Sequence, residues 1–433
     1  MLETLSETRN RPGRFGQLVA AGGGLSSISL LIAVSASRLL CGLAIVKALS
    51  YILGPTQFGT ISQVMGVCAV FYGFAGGGVT NGLILYSGRE TDASEQRRWL
   101  AAALAIGVAA STLLAITSIL LGVFGAFAVL GQAARPGVFV GIAVAQAVIG
   151  VGNILLAYAS GIRDLRSFAL ASIIGTLAWA LITVAATLTL GYTGSIWAVI
   201  LAPAATAFVI VAILWQQLYP YRALLVDINR SRVLRLLQAS GFMAIAVSAL
   251  PLAQTFIRAN LAQHTSWHDV GLWQSVARLS DAYMQVFGVI CINLLLPRLL
   301  QRPGFAGRNG EIMRTGGAML ALFLCGAIVL YGLREPVVRL AFSSEFLPAA
   351  AYIAPQLAAD FAKVGAWILV YRFVAAGHLW AQPAAEVFQA IGVVVFYLAL
   401  LPTQGALAPV FGHLLSCIAL LCALGIVAWR FRK

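Results

Sequence analysis

Carboxylates are what this 433-residue chain has least of: 14 Asp and Glu stand against 28 Lys and Arg, and charged residues of both signs make up only 10%. Histidines number four and cysteines six. Each shortage excludes something. A chain with so little charge cannot dress a water-exposed surface, on which charged side chains ordinarily make up a quarter or more. No HExxH or GxSxG run is present, and no Walker lysine follows a glycine cluster, so the sequence offers no footing for those catalytic chemistries. Cys41, Cys68, Cys291, Cys325, Cys417 and Cys422 all lie inside apolar runs without metal-ligand spacing and read as small packing residues. His264, His268 and His378 read as loop residues and His413 as one packed in the last apolar run. No catalytic residue, metal site, cofactor or disulfide is expected.

What is there is hydrophobic. Apolar residues make up 61% of the chain, and the mean hydropathy is +0.92. A helix needs about 20 apolar residues to cross a bilayer. Runs of that length are expected at about 25–51, 58–86, 98–126, 137–160, 168–190, 195–217, 236–260, 270–297, 315–333, 347–375, 381–401 and 406–428. The fold class is therefore an all-α integral membrane protein of about twelve spans. The polar N-terminus MLETLSETRNRPGRFGQ is followed by no small-residue cleavage site, so a cleaved signal peptide is not expected.

The +14 net charge is spread through short loops rather than gathered on one face, which speaks for membrane topology and against nucleic acid. Nineteen cations fall in the N-terminus (Arg9, Arg11, Arg14), the C-terminus (Arg430, Arg432, Lys433) and the even-to-odd loops at Arg89, Arg97, Arg98, Arg163, Arg166, Arg222, Arg230, Arg232, Arg235, Arg298, Arg302, Arg308 and Arg314. Three, Arg135, Arg334 and Arg339, fall on the opposite side. Both termini are therefore expected in the cytoplasm.

The two halves echo one another. Lys47 precedes Gln63 by 16 residues, and Arg258 precedes Gln274 by 16, each pair flanking a short loop. A six-plus-six repeat follows, with lobes 1–218 and 219–433, a common transporter design.

Charge inside the spans is expensive, about 2.5–3.5 kcal/mol at mid-bilayer, so the in-span charges point inward. In 270–297, Gln274, Arg278, Asp281 and Gln285 share one stripe at about 100° per residue. Either Arg278 and Asp281 merely neutralise each other, or the stripe faces a wet, ligand-sized space. Gln356, Asp360 and Lys363 repeat the spacing in the tenth span, and Gln382, Glu386 and Gln389 in the eleventh. Gln254 and Arg258 lie beyond a Pro251 kink. Gln63 and Asn81 would share a face of a straight second helix, five turns apart. Gln146, Asn153 and Ser160 recur along the fourth span, where helix–helix hydrogen bonding is as good a reading as a cavity. Arg38 and Lys47 point to opposite faces, so helix 1 bends near Gly42 or Lys47 snorkels to the interface. The glycines at 73, 76, 77, 78 and 82 permit close packing or a flexible break. Six cations (Arg38, Lys47, Arg258, Arg278, Lys363, Arg372) against three carboxylates (Asp281, Asp360, Glu386) give an interior of net charge +3. That sign suits an anion, and Arg suits a phosphate because its fork donates two hydrogen bonds. The carboxylates either hold the cations in place or titrate to couple protons; Glu386, with no cation one turn away, is the better candidate for titration.

The segments IVKALSYILGPTQFG, GGGVTNG, TSWHDVGLWQSVARLSDAYMQ, QLAADFAKVGA and AAEVFQ resemble the Wzx-type polysaccharide-precursor flippases of the MOP superfamily, nearest those serving enterobacterial common antigen. The resemblance implies two six-helix lobes in the bacterial inner membrane, rocking by alternating access about a cationic cavity between helices 1, 2, 7 and 8. The cargo it implies is an undecaprenyl-pyrophosphate-linked glycan, lipid III-like or O-antigen-like, handed on to a downstream glycan polymerase, with membrane lipids as the other partners. Arg38, Lys47, Asn81, Arg258, Trp273, Gln274, Arg278 and Lys363 would meet that cargo, and Asp281, Asp360 and Glu386 would orient cations or couple protons. A cation-coupled drug exporter should instead have an acidic interior. A membrane-embedded polymerase or ligase should carry a catalytic loop outside the membrane, where the longest candidate offers only Arg334, Glu335, Arg339 and Glu345.

Reporter fusions test the orientation: those after Arg89, Arg166, Arg230 and Arg308 should read as cytoplasmic, and those near Ala134, His264 and Ala406 as periplasmic. One reversed reporter would break the twelve-span count.

Overall fold

The structure is a computed structural model that describes residues 24–125, 129–131, 136–218, 229–301 and 304–430. Arg9, Arg11, Arg14, Arg135, Arg222, Arg302, Arg432 and Lys433 lie outside the described residues, as does the lobe boundary expected at 219. Among the described residues the chain is helical almost throughout, with no strand.

The helices are α1 (Gly24–Phe74), α2 (Thr80–Ser87), α3 (Ala93–Phe124), α4 (Pro136–Gly161), α5 (Leu165–Leu201), α6 (Ala205–Leu218), α7 (Arg230–His264), α8 (Trp267–Ile290), α9 (Leu296–Leu300), α10 (Gly304–Glu311), α11 (Gly317–Gly332), α12 (Arg334–Ala341), α13 (Ala350–Ala375), α14 (Ala381–Gln404) and α15 (Ala408–Arg430). The short polar connectors supply the starts. Asp92, Asp164 and Asn229 accept hydrogen bonds from the amides of Ser94, Ser167 and Ser231 at 3.0, 3.1 and 2.8 Å, and Ser266 caps Asp269 at 3.1 Å. Each cap satisfies a helix N-terminal donor that has no partner within the helix.

Glycine makes the tight corners. α1 folds back at Gly54 (φ 67°) before Pro55, and α5 at Gly191 (φ 58°), so each is two spans in one helical segment. With these corners counted, the described helices supply the expected twelve crossings of a multi-pass membrane protein. Leu113, Leu181, Leu188, Phe208 and Ile328 are each well exposed on the outer surface, where lipid rather than water accounts for them.

One expectation is corrected. The second span is not straight: Gly76, Gly77 and Gly78 all adopt positive φ (79°, 71° and 63°) and separate α1 from α2. Three left-handed residues in a row end the helix, so Gln63 and Asn81 do not share a helical face. Gln63 is buried and Asn81 is exposed.

Helix α7, which contains Pro251, touches both halves. Near its start, Ser240 accepts from the Gly82 amide at 2.8 Å and Arg232 pairs with Glu95 at 2.9 Å. Near its end, Asn260 accepts from the Tyr397 hydroxyl at 2.8 Å. A proline lacks the amide that would tie it to the preceding turn, which lets the two ends of one helix follow different neighbours.

Candidate functional site

The site is built where α1, just past the Gly54 corner, meets the end of α7 and the start of α8. Glycine permits the approach. A Cβ on Gly59 would overlap the Trp267 carbonyl, and one on Gly271 would overlap the Pro55 carbonyl, so the backbones touch directly. A Cβ on Gly66 would collide with the Arg258 guanidinium.

Arg258 fills the space so created. It is 2% exposed. Its Nε donates to Gln63 Oε1 at 2.9 Å, one terminal nitrogen to Thr255 Oγ1 at 3.0 Å and the other to Gln274 Oε1 at 3.3 Å. Gln63 is fixed in turn by donating to the Val129 carbonyl at 2.7 Å and the Thr255 carbonyl at 3.1 Å. Among the described residues no carboxylate lies within ion-pair distance of Arg258. The cation is thus buried on neutral oxygens alone, while Gln274 Nε2 has no hydrogen-bond partner.

A second layer lies at the same end of the bundle. Lys47 donates to the carbonyls of Leu340 and Phe342 at 2.6 and 2.7 Å, closing the C-terminus of α12, where a cation is favoured by the helix dipole. Phe58 packs edge-on against Phe346 and Phe342, with ring centroids 5.6 and 6.4 Å away. The segment 340–346 therefore straps the α1 corner onto the second half of the chain.

Away from this end each helix has an exposed face. On α8, residues 270–276 are buried, whereas Asp281 and Gln285 are exposed; on α1, Leu49 and Ser50 are buried and Arg38 is exposed. Arg278 and Asp281 form an i, i+3 ion pair at 3.6 Å, and Arg278 Nε has no partner.

Asp360 heads a separate cluster. It is 1% exposed and accepts from Ser280 Oγ at 2.6 Å, from Gln356 Nε2 at 3.1 Å and from the Tyr283 hydroxyl. His413 Nε2 stands 3.6 Å from Oδ1, the oxygen that Gln356 meets at 3.1 Å. Lys363 lies over the Trp367 ring at 5.5 Å. Glu386 lines a small cavity with Gln382, Gln389, Trp367 and Tyr371.

The expected site residues thus divide. Arg258, Gln274 and Trp273 come together and are buried; Lys47 joins them through the strap. Arg278 and Asp281 sit one to two turns further along α8 as a pair. Asp360, Lys363 and Glu386 lie in the second half, and Arg38 and Asn81 are exposed. Sequence reasoning missed Thr255, Tyr283 and His413 as partners. Thr255 was findable, being three residues from Arg258 and on its face. His413 was not, since 53 residues of chain separate it from Asp360.

This arrangement of two helical halves places the chain in the class of proteins with the MOP fold. The fold recurs in a MATE-family multidrug resistance transporter in its inward-facing conformation (TM-score 0.74, 15% identity, 92% of this chain and 96% of that one). It recurs as well in the lipid II flippase MurJ in its inward closed conformation (TM-score 0.71, 12% identity, 92% and 87%). Within that class, residues 48–351 match the family described as polysaccharide biosynthesis protein, and the chain belongs to it. A curated relative, the lipid III flippase of Escherichia coli (strain K12), is 28% identical over 395 residues, 90% of this chain and 95% of that protein.

Removing the buried guanidinium tests the site. Arg258→Ala leaves Gln63 Oε1 and Gln274 Oε1 buried without a donor, at about 1–3 kcal/mol each. In a background lacking the native cysteines, Ser275→Cys should react slowly with an impermeant maleimide, and several-fold faster once Arg258→Ala is added. Arg258→Lys should fall between, because a point charge cannot serve three oxygens as the fork does. Equal labelling rates in all three would show that Arg258 does not hold the halves together.

Proposed function

We propose that the chain is a flippase that moves an undecaprenyl-pyrophosphate-linked oligosaccharide from the cytoplasmic to the periplasmic leaflet of the bacterial inner membrane. The observation that carries the reading is Arg258, a phosphate-competent cation held at the junction of the halves by neutral oxygens only. Both termini are cytoplasmic in this reading, so the sealed end is periplasmic and the parted end faces the cytoplasm, where the cargo is made. The lobes 1–218 and 219–433 rock against each other, with the two ends of α7 following different lobes about Pro251.

Burying a cation without a carboxylate is costly, several kcal/mol per ion before compensation. Three hydrogen bonds offset part of that cost in the sealed state. A pyrophosphate entering from the parted end offers Arg258 charge-assisted, bidentate bonds worth roughly twice neutral ones. The ligand therefore competes for the group that keeps the far end shut, and binding favours opening toward the periplasm. Arg278, with a free Nε, and Lys363 extend the cationic path, Arg38 and Asn81 stand nearer the open side, and Asp281 and Asp360 hold neighbouring donors in place. Trp273 and Gln274 meet the cargo only after the seal parts. The polyprenyl tail stays in lipid, and the delivered glycan is positioned for a periplasmic polymerase.

The likeness to a multidrug transporter raises the alternative of a cation exporter. The in-span charge of +3 argues against it, because a basic interior repels cationic drugs. A catalytic reading finds no loop to occupy: segment 334–349 is folded into α12 and the strap.

Proteoliposomes test the reading. The full chain, reconstituted with undecaprenyl pyrophosphate bearing a single N-acetylglucosamine, should expose the sugar to an external galactosyltransferase well above protein-free vesicles, and Arg258→Ala should abolish the gain. No gain with wild-type protein of verified insertion would overturn it.

A further inference from the structure

The Glu386 cavity has a composition that the pyrophosphate does not explain. It lies between α8, α13, α14 and α15, one turn from the α13–α14 connection, and encloses about 80 Å³, room for several waters or the edge of one ring. Its walls combine two aromatic rings, Trp367 and Tyr371, with three hydrogen-bonding groups, Gln382, Glu386 and Gln389. Glu386 is half-buried and makes no hydrogen bond or ion pair among the described residues. Gln382 is likewise without a partner, and Gln389 donates to Cys417 Sγ at 3.3 Å and has its carbonyl oxygen unused. Polar groups gathered in one cavity without protein partners are left for a ligand or water to satisfy.

The ligand class follows by exclusion. An anion is disfavoured by the Glu386 carboxylate. A cation is disfavoured by Lys363, whose ammonium already occupies the Trp367 ring one turn away at 5.5 Å. A neutral ring with an apolar face and a polar rim satisfies both constraints. Its C–H face meets the aromatic wall that Tyr371 shares with the edge of Trp367, and its hydroxyl or acetamido groups donate to Glu386 and exchange hydrogen bonds with the glutamines. Gly288 keeps the opposite wall low: a Cβ there would stand 3.9 Å from the Trp367 ring, in ordinary contact.

We infer that this cavity is a monosaccharide subsite that holds one pyranose of the lipid-linked glycan while the pyrophosphate engages the cations. The inference rests on the flippase reading. Trp367 and Glu386 touch neither Arg258 nor Arg278, so the sugar is met apart from those two cations, and Lys363, over the Trp367 ring at 5.5 Å, stands between the two. The same subsite supplies a basis for choosing between glycans on an otherwise common carrier.

Binding of two probes to the full chain in nanodiscs, read by native mass spectrometry, tests it: undecaprenyl pyrophosphate alone, and the same lipid bearing one N-acetylglucosamine. Wild-type protein should prefer the glycosylated lipid by about tenfold, which is about 1.4 kcal/mol. Gln382→Leu and Glu386→Gln should each erase that preference while binding the bare lipid within about twofold of wild type, and the bare-lipid affinity doubles as the control for folding. Gly288→Val, which narrows the cavity without touching a polar group, should do the same. A preference unchanged in all three variants, a parallel loss of both lipids, or equal wild-type affinity for the two would overturn the subsite. Binding of neither lipid by wild-type protein would overturn the flippase reading itself, and the subsite with it.

Discussion

A guanidinium buried among neutral oxygens is the interaction on which the rest depends. Arg258 draws Gln63 of α1, Gln274 of α8 and Thr255 of its own helix to one point. Everything around it serves that approach. Gly66 vacates the space for the side chain, Gly59 and Gly271 let backbones touch, and Lys47 with Phe58 holds the 340–346 strap over the junction. A carboxylate in place of either glutamine would turn the junction into a buried ion pair, in which a charge left without its partner costs about 3–5 kcal/mol. That would make the junction harder to open. Neutral partners would keep the sealed and parted states closer in free energy, as the proposed alternation between them requires.

The division of charge follows the same logic. The first half brings glutamine and glycine to the junction; the cation comes from α7, the helix that touches both halves. The second half keeps its own polar interior, in which Asp360 is satisfied by Ser280, Gln356, Tyr283 and His413, and a cavity with unspent hydrogen-bonding groups beside it. In the proposed reading, phosphate and sugar are met at different places along one path.

Much of this could be read from residues alone, and the reasons are physical. Membrane thickness fixes the length of a span, so the twelve runs stand out. The cost of in-span charge singles out Arg258, Asp281, Asp360, Lys363 and Glu386 without any structure. The 16-residue echo between Lys47–Gln63 and Arg258–Gln274 marks the two corners that meet, and Gln63, Arg258 and Gln274 do touch. Periodicity says which face a residue is on, but not which helix that face meets. Hence the strap that takes up Lys47, nearly 300 residues away, and the pairing of His413 with Asp360 were not legible. Periodicity also presumes an unbroken helix, and three left-handed glycines defeat that presumption between Gln63 and Asn81.

In the proposed cycle the Arg258 junction is the closed state of a gate which cargo opens. Spin labels at Tyr51 on α1 and at Leu340 where the strap begins, both exposed, report it directly through their distance distribution in nanodiscs. The account predicts one short distance without cargo, a second and longer population on adding undecaprenyl-pyrophosphate-linked sugar, and that longer population without cargo in Arg258→Ala. A single short distance under all three conditions would contradict it.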